Sequence, residues 1–132
     1  MGLATICKLQ ILPDYIFRNS NPAIFGVRVI AGRAKLNIPL IDGNGESVAR
    51  IKSLQLEKAG VEVATEGQEL AMALPGITFD RRLKEIKNLY ADLSESQFKQ
   101  FKKHKDILTG SELKVLQEIA DLKRRKNEMW GM

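Results

Sequence analysis

The side chains that most often carry chemistry are scarce in this chain, which has one cysteine, Cys7, and one histidine, His104. A zinc centre takes about four Cys, His or carboxylate ligands, and a Ser–His–Asp type of triad needs a histidine beside its nucleophile. Neither arrangement can be assembled here, and the phosphate-binding pattern Gly-x-x-x-x-Gly-Lys-Ser/Thr does not occur. Acidic residues are numerous, but their spacing singles out no catalytic pair. We therefore predict a binding domain without enzymatic activity and with no metal or cofactor of its own.

The charge of the chain is basic and unevenly distributed. Its net charge is +5, from 21 Lys and Arg against 16 Asp and Glu. Residues 1–75 contribute 8 basic minus 7 acidic, or +1, and residues 76–132 contribute 13 minus 9, or +4. A bias of this kind is typical of proteins that contact RNA or the ribosome, although many small cytosolic domains share it.

The cysteine content and the lengths of the apolar runs indicate the cellular compartment. A single cysteine cannot form an internal disulfide, which favours a reducing, cytoplasmic environment. No apolar run approaches the roughly 18 residues of a membrane helix, so no membrane partner is expected. Cys7 lies in an alternating stretch and is predicted to be a core residue, whereas His104 lies among lysines and is predicted to be solvated.

The elements that must position any binding residues are predominantly strands over residues 1–92. Cys7, Leu9 and Ile11 alternate with polar residues, which predicts a strand over 5–12. Further strands are predicted to run into Gly32 and over 39–41, 48–54, 70–74 and 89–91, with a hairpin turn at 42–45. Short strands at this spacing predict a mainly β fold whose strands close into a barrel.

Two α-helices are predicted over residues 93–126. Ser94 with Gln97, and Thr109 with Glu112, have the spacing of capping boxes, which mark helix starts. The first helix is expected to run to about residue 105. The second carries one broad apolar face, made of Leu113, Leu116, Ile119, Ala120 and Leu122. Residues 127–132 are expected to be a tail, and 1–132 a single domain.

The order of these motifs resembles a known family. Phe25-Gly26-Val27-Arg28, the Asp42-Gly43-Asn44-Gly45 turn and Glu66-Gly67-Gln68-Glu69 follow one another as in the second-domain β-barrel of translational GTPases. With the segments 11–18, 89–93 and 113–125 and the Trp130-Gly131-Met132 ending, the chain is similar to the C-terminal domain of translation initiation factor 5B. That factor is the archaeal and eukaryotic counterpart of bacterial initiation factor 2, and the ending resembles archaeal members.

The resemblance implies a fragment of a larger GTPase that binds GTP and magnesium elsewhere. It implies that this domain binds the methionylated acceptor end of initiator tRNA during ribosomal subunit joining. Such an end needs cations for phosphates, a flat surface for the terminal adenosine and an apolar niche for the methionyl side chain. The implied tRNA-binding residues are Lys58, Phe79, Arg81 and Arg82. Asp80 replaces the glycine that usually precedes the arginine.

A second implied partner is initiation factor 1A, docked on the two helices. The predicted partner-binding residues are Leu113, Leu116, Ile119, Ala120, Lys123 and Trp130. The alternative is that the apolar members pack on the first helix and the barrel, and that Trp130 is either a lid or a tail residue.

Two other functions stay open at the level of sequence. One is a protein–protein docking module with no intrinsic tRNA affinity, and the other is a barrel of another translational GTPase that contacts ribosomal RNA. If Lys58 and Arg81 border one pocket, tRNA binding is favoured. If charge concentrates only at residues 123–126, docking is favoured.

Overall fold

The computed structural model describes residues 5–132. Within them, nine strands form one antiparallel sheet: β1 (Cys7–Arg18), β2 (Ala23–Lys35), β3 (Pro39–Asp42), β4 (Ser47–Arg50), β5 (Ser53–Leu56), β6 (Ala59–Val61), β7 (Val63–Thr65), β8 (Glu69–Leu74) and β9 (Asn88–Ala91). The predicted mainly β fold is confirmed.

The sheet curls, although the pairings among residues 5–132 do not close it. Its strand order is β4-β3-β9-β1-β2-β8-β5-β6, with β7 added beside β2. Only Ile51 and Lys52 separate β4, at one end of this order, from β5, near the other end. The two ends must therefore lie close together, which bends the sheet into a half-barrel. The predicted closed barrel is not confirmed, because β4 and β6 remain edge strands.

The strand predicted over residues 48–54 is two strands. β4 pairs with β3, whereas β5 pairs with β8. Between them Ile51 is fully buried, and its backbone bonds to Asn37 and Ile38 instead of to a strand neighbour. In the sequence, a buried apolar residue between two strands looks the same as a residue within a strand. The pattern therefore predicted one strand where the structure has two.

The inner face of the sheet encloses the first hydrophobic core. Cys7, Leu9 and Ile11 all point into it, as their alternation predicts. Burial raises the pKa of the Cys7 thiol to about 12, although a backbone hydrogen bond with Ala91 acts in the opposite direction. Cys7 is thus an unreactive core residue, as predicted.

Three α-helices lie among residues 5–132 instead of the predicted two: α1 (Phe79–Arg82), α2 (Glu95–Lys103) and α3 (Gly110–Arg124). A 3-10 turn over Lys105–Ile107 separates the last two, so α2 ends before the predicted limit. Both capping boxes form as predicted, from Ser94 and from Thr109. The single turn of α1 has no side-chain cap and no apolar periodicity, so nothing in the sequence marks it.

A second core joins the helices to the outer face of the sheet. α3 contributes Val115, Leu116, Ile119, Ala120 and Leu122, all of which are buried. Trp130 closes this core by packing its ring, tilted by 47°, against that of Phe98 of α2, with ring centroids 4.9 Å apart. Arg124 holds the tail by donating from Nε to the Trp130 carbonyl oxygen at 2.9 Å.

Candidate functional site

A groove runs across the outer face of the sheet, on the part of that face that the helices do not cover. Its floor follows one row of strand neighbours, in which Leu12 pairs with Gly26, Gly26 with Ala71, and Ala71 with Gln55. The two central residues are small, so the middle of the row is lower than its ends. The groove encloses about 670 Å³.

One wall of the groove is aromatic. The register of β1 against β2 shifts between Leu12 and Ile16, and this irregularity turns Tyr15 over the groove floor. A Cβ on Gly26 would lie 2.9 Å from the Tyr15 Cβ, so only glycine permits this approach. Tyr15 and Phe17 both line the groove and are 57% and 63% exposed. Two ring faces are therefore available to a ligand.

The opposite wall is the charged turn between β5 and β6. Leu56 pairs with Ala59, so Glu57 and Lys58 form a two-residue hairpin turn. Both have positive φ, 51° and 70°, as the tight turns that match strand twist require. The turn holds Lys58 at the rim of the groove, where Glu69 at the start of β8 also lies.

Of the predicted tRNA-binding residues, only Lys58 lines this groove. Arg81 is exposed on α1 and borders neither this groove nor the cleft described below, so the structure does not bring it together with Lys58. Phe79 is 3% exposed and packs on Phe25 in the first core, with ring centroids 5.1 Å apart. Its ring has no face left for a base, which corrects the predicted role.

Arg82 is engaged in holding the fold. Its Nη1 lies 2.8 Å from Oδ2 of the buried Asp42, and its Nη2 donates to the Ser47 carbonyl oxygen at 3.0 Å. Burial by itself would raise the Asp42 pKa. Hydrogen bonds from the Glu46 and Asn44 amides and from Arg82 outweigh burial and lower that pKa below its usual value. Arg82 is thus the partner of a buried carboxylate, and this position competes with the predicted contact to tRNA.

Most of the predicted partner-binding face of α3 packs in the second core. Leu116, Ile119 and Ala120 are at most 4% exposed in the second core, which corrects their predicted availability. Leu113 is half-buried. Lys123 forms an ion pair with Asp92, and Trp130 is buried against Phe98 in the second core.

A second cleft, of about 590 Å³, lies where the helices meet the β2–β3 connection. Lys123 and Trp130 line it, together with Lys35, Arg50 and Asp92. Arg50 is oriented by donating from Nη1 to the Asn37 carbonyl oxygen at 3.0 Å. Three cations and one carboxylate give this cleft a formal charge of +2.

The groove contains residues that the sequence analysis did not single out, chiefly Tyr15, Phe17 and Glu69. One signal was available for the aromatic pair. Tyr15-Ile16-Phe17 breaks the alternation of β1 directly after Pro13 and Asp14, and three consecutive large apolar residues cannot all point into one core. All three are in fact exposed by 41% or more.

Within residues 5–132 no cluster of three or more His, Cys, Asp or Glu side chains has the geometry to hold a metal ion. The described helices are all too short or too polar to cross a membrane.

Comparisons with known proteins agree with this architecture. The model of the family described as elongation factor Tu domain 4 matches residues 6–90. A probable translation initiation factor IF-2 of Methanopyrus kandleri is 40% identical over 126 residues, which are 95% of this chain and 21% of that protein. The corresponding protein of Archaeoglobus fulgidus is 35% identical over 94% of this chain and 21% of its own length.

A solved structure is similar over almost the whole chain. The crystal structure of GDP-bound aIF5B from Aeropyrum pernix superposes with a TM-score of 0.90 at 33% identity, covering 98% of this chain and 22% of that one. The fold and the sequence therefore define a β domain of the translation-factor class. The chain belongs to the elongation factor Tu domain 4 family.

Within that family the chain is similar to the IF-2 and aIF5B relatives over nearly its whole length, which confirms the resemblance to the C-terminal domain of factor 5B. The matched family is a domain 4 and not the catalytic GTPase domain. The chain spans about a fifth of the length of the curated relatives described above.

Proposed function

We propose that this domain binds the methionylated acceptor end of initiator tRNA in the groove between Tyr15, Phe17 and the β5–β6 turn. The observation that carries the proposal is the exposure of two aromatic rings across a groove from a lysine, on a part of the outer sheet face that the helices leave uncovered.

The groove provides what a single-stranded aminoacylated end requires. A nucleobase stacks on an aromatic ring for about 1–3 kcal/mol, and Tyr15 and Phe17 present such rings. Leu12 and Ile24 offer apolar surface to the methionyl side chain. Lys58 at the rim is placed to contact a phosphate of the single-stranded acceptor end.

The proposal is tested by titrating the domain with methionyl and uncharged initiator tRNA at two salt concentrations. Tighter binding of the charged form that persists at the higher salt would support the groove. Equal binding that fades with salt would leave only a nonspecific phosphate contribution and refute it.

A second proposed activity is docking of initiation factor 1A at the cleft beside α3. It rests on the +2 charge of the cleft and on Lys123 and Trp130, which were predicted for this role and both line it. An acidic segment of a partner would be complementary to Lys35, Arg50 and Lys123. If the domain binds factor 1A but neither form of tRNA, the docking alternative replaces the tRNA proposal.

During ribosomal subunit joining the domain would act by binding and positioning. Any GTP hydrolysis, and the magnesium that accompanies it, would belong to other parts of a full-length factor.

A further inference from the structure

Most of the cations of the chain lie outside the groove and the cleft. The charged residues that line the groove, Glu57, Lys58 and Glu69, sum to −1, and the cleft contributes +2 of the net charge of +5. Two runs in the helical part of the chain contain four cations each and no acidic residue. They are residues 99–105 and residues 123–126.

The two runs differ in what their side chains contact. In residues 123–126 every cation has a polar partner: Lys123 pairs with Asp92, Lys126 pairs with Glu46, and Arg124 and Arg125 donate to the carbonyl oxygens of Trp130 and Gly43. In residues 99–105 none of the four ammonium groups forms an ion pair with another residue of 5–132, although Glu95 and Asp106 flank the run. The first run therefore offers its charge to a ligand.

Helix α2 holds three of these lysines on its outer side. Phe98 and Phe101, each 3% exposed, fix its inner side in the second core. Lys99 and Lys103 are both exposed and are four residues apart, so they lie one turn apart on the same face of the helix. Lys102 lies beside them, with its Nζ 5.6 Å from the Phe98 ring centroid. Like charges at this spacing disfavour an isolated helix, so it is the second core that holds these cations together.

The composition of this face indicates the kind of ligand. Its cations are all lysines, which act on phosphates as point charges and lack the planar fork with which arginine reads bases. The rings of α2 are buried, so no base of a single strand can stack on them. The centre of a protein interface is usually apolar and aromatic, whereas the nearest exposed large apolar residue in the sequence, Ile107, lies beyond the helix. A double-stranded nucleic acid, contacted through its phosphates, meets these conditions.

We propose that Lys99, Lys102 and Lys103 bind the phosphate backbone of double-stranded RNA, independently of its sequence. RNA is favoured over DNA because the relatives described above are translation initiation factors. An RNA duplex presents sugars and phosphates across a wide, shallow minor groove, which the convex side of a helix can contact. The three lysines line neither the groove nor the cleft, so this contact is additional to both proposed partners.

The test is a set of titrations with a blunt-ended RNA duplex of about 16 base pairs, which has no single-stranded end for the groove. The titrations are repeated between about 50 and 200 mM salt. Lys99→Gln combined with Lys103→Gln removes two cations and leaves Lys102 on Phe98. This variant should bind the duplex at least about fivefold more weakly than the wild type. The slope of log affinity against log salt should become shallower by about 2.

Lys84→Gln combined with Lys87→Gln is the matched control. Both lysines are exposed on the α1–β9 connection and form no ion pair within residues 5–132. The control changes the net charge by the same amount, yet should weaken duplex binding by less than about twofold, because salt screens distant charges. Thermal unfolding should show no loss of stability in either variant.

Three results would overturn the inference. Failure of the wild-type domain to bind the duplex at the lowest salt would remove the ligand, and equal losses in the two variants would remove the role of α2. Displacement of the duplex by an equal concentration of a polyglutamate peptide of the same charge would assign the face to an acidic protein segment. The preference for methionyl over uncharged tRNA belongs to the groove and should be the same in all three proteins. Its absence from all three would overturn the proposed function of the groove and not this inference.

Discussion

The groove and the cleft lie on one small domain and are built in opposite ways. The groove is apolar, exposes two aromatic rings and has a net charge of −1 along its lining. The cleft is polar, has a net charge of +2, and its aromatic residue is buried beneath it. The basic excess of the chain therefore does not mark the groove proposed to bind the aminoacyl end. It is directed toward the cleft and the helices.

This contrast separates the two proposed partners by chemistry. Aromatic and apolar surface with carboxylates suits an aminoacyl ester, whereas three cations around a polar cleft suit an acidic protein segment. Because the helices cover one part of the outer face of the sheet and leave the part with the groove uncovered, both surfaces can be engaged at once.

The largest loss of stability is expected from substitutions on the apolar face of α3, because this face packs in the second core and is not a binding surface. Ile119 is fully buried, so Ile119→Ala should lower the free energy of unfolding by about 2–5 kcal/mol. Chemical denaturation measures the change. The half-buried Leu113 is the control, and Leu113→Ala should cost less than half as much. Equal, small costs would mean that α3 has a free apolar face for a partner.

A smaller loss of stability is expected from the neighbouring arginines of α1. Arg82→Met leaves the buried Asp42 without its cation and should cost about 2–3 kcal/mol, less than a fully buried pair because two backbone amides remain. Arg81→Met, the control, should leave stability unchanged. Arg81 borders neither the groove nor the cleft, so Arg81→Met should also leave binding of methionyl initiator tRNA unchanged.

A fall in pH should distinguish Arg82→Met from the wild-type domain. The Asp42 pKa is lowered in the folded state, so its ionised form contributes stability above its unfolded pKa of about 3.9, and this is lost as pH falls through the folded value. The contribution depends on Arg82. The stability of Arg82→Met should therefore change less between pH 5 and pH 2 than that of the wild type, as measured by urea midpoints. Parallel pH profiles would contradict this.

An effect on binding without an effect on folding is expected for Phe17, which is 63% exposed. Phe17→Ala should weaken binding of methionyl initiator tRNA by about 1–2 kcal/mol, with an unchanged unfolding temperature. Met129 is 70% exposed and lines neither surface, so Met129→Ala is the matched control. If both variants bind alike, the aromatic wall is not part of the site.

The smallest effect is expected at the cleft. Lys123 is already paired with Asp92, so Lys123→Met should weaken binding of initiation factor 1A by only about 0.5–1 kcal/mol and leave tRNA affinity unchanged. Lys99, which is exposed on α2 and outside the cleft, provides the control. An equal loss of affinity for tRNA and for factor 1A would mean that both partners bind the same surface.

The sequence predicted what depends on near neighbours. The capping boxes at Ser94 and Thr109 form because each needs only residues three apart. Cys7, Leu9 and Ile11 are buried because period-2 alternation fixes which face they occupy. The resemblance to a translation-factor domain could be predicted too, since it rests on the order of motifs along the chain.

The candidate site could be predicted only in part, because burial and pairing are set by distant residues. Phe79 follows a loop and has a stacking ring, but Phe25 covers it. Arg82 was indistinguishable from Arg81 until Asp42, about 40 residues earlier in the chain, proved to be its partner. Glu69 lies on the same groove as the β5–β6 turn only because β8 pairs with β5 in the folded sheet.

The most direct test of the central claim is an NMR titration of the isotope-labelled domain with a short acceptor-stem RNA charged with methionine. If the acceptor end binds in the groove, the largest backbone shift changes should fall on Tyr15, Phe17, Gly26 and Ala71, and the uncharged stem should produce much smaller ones. Shift changes confined to Lys35, Lys123 and Trp130 would contradict it and identify the cleft as the site of tRNA binding.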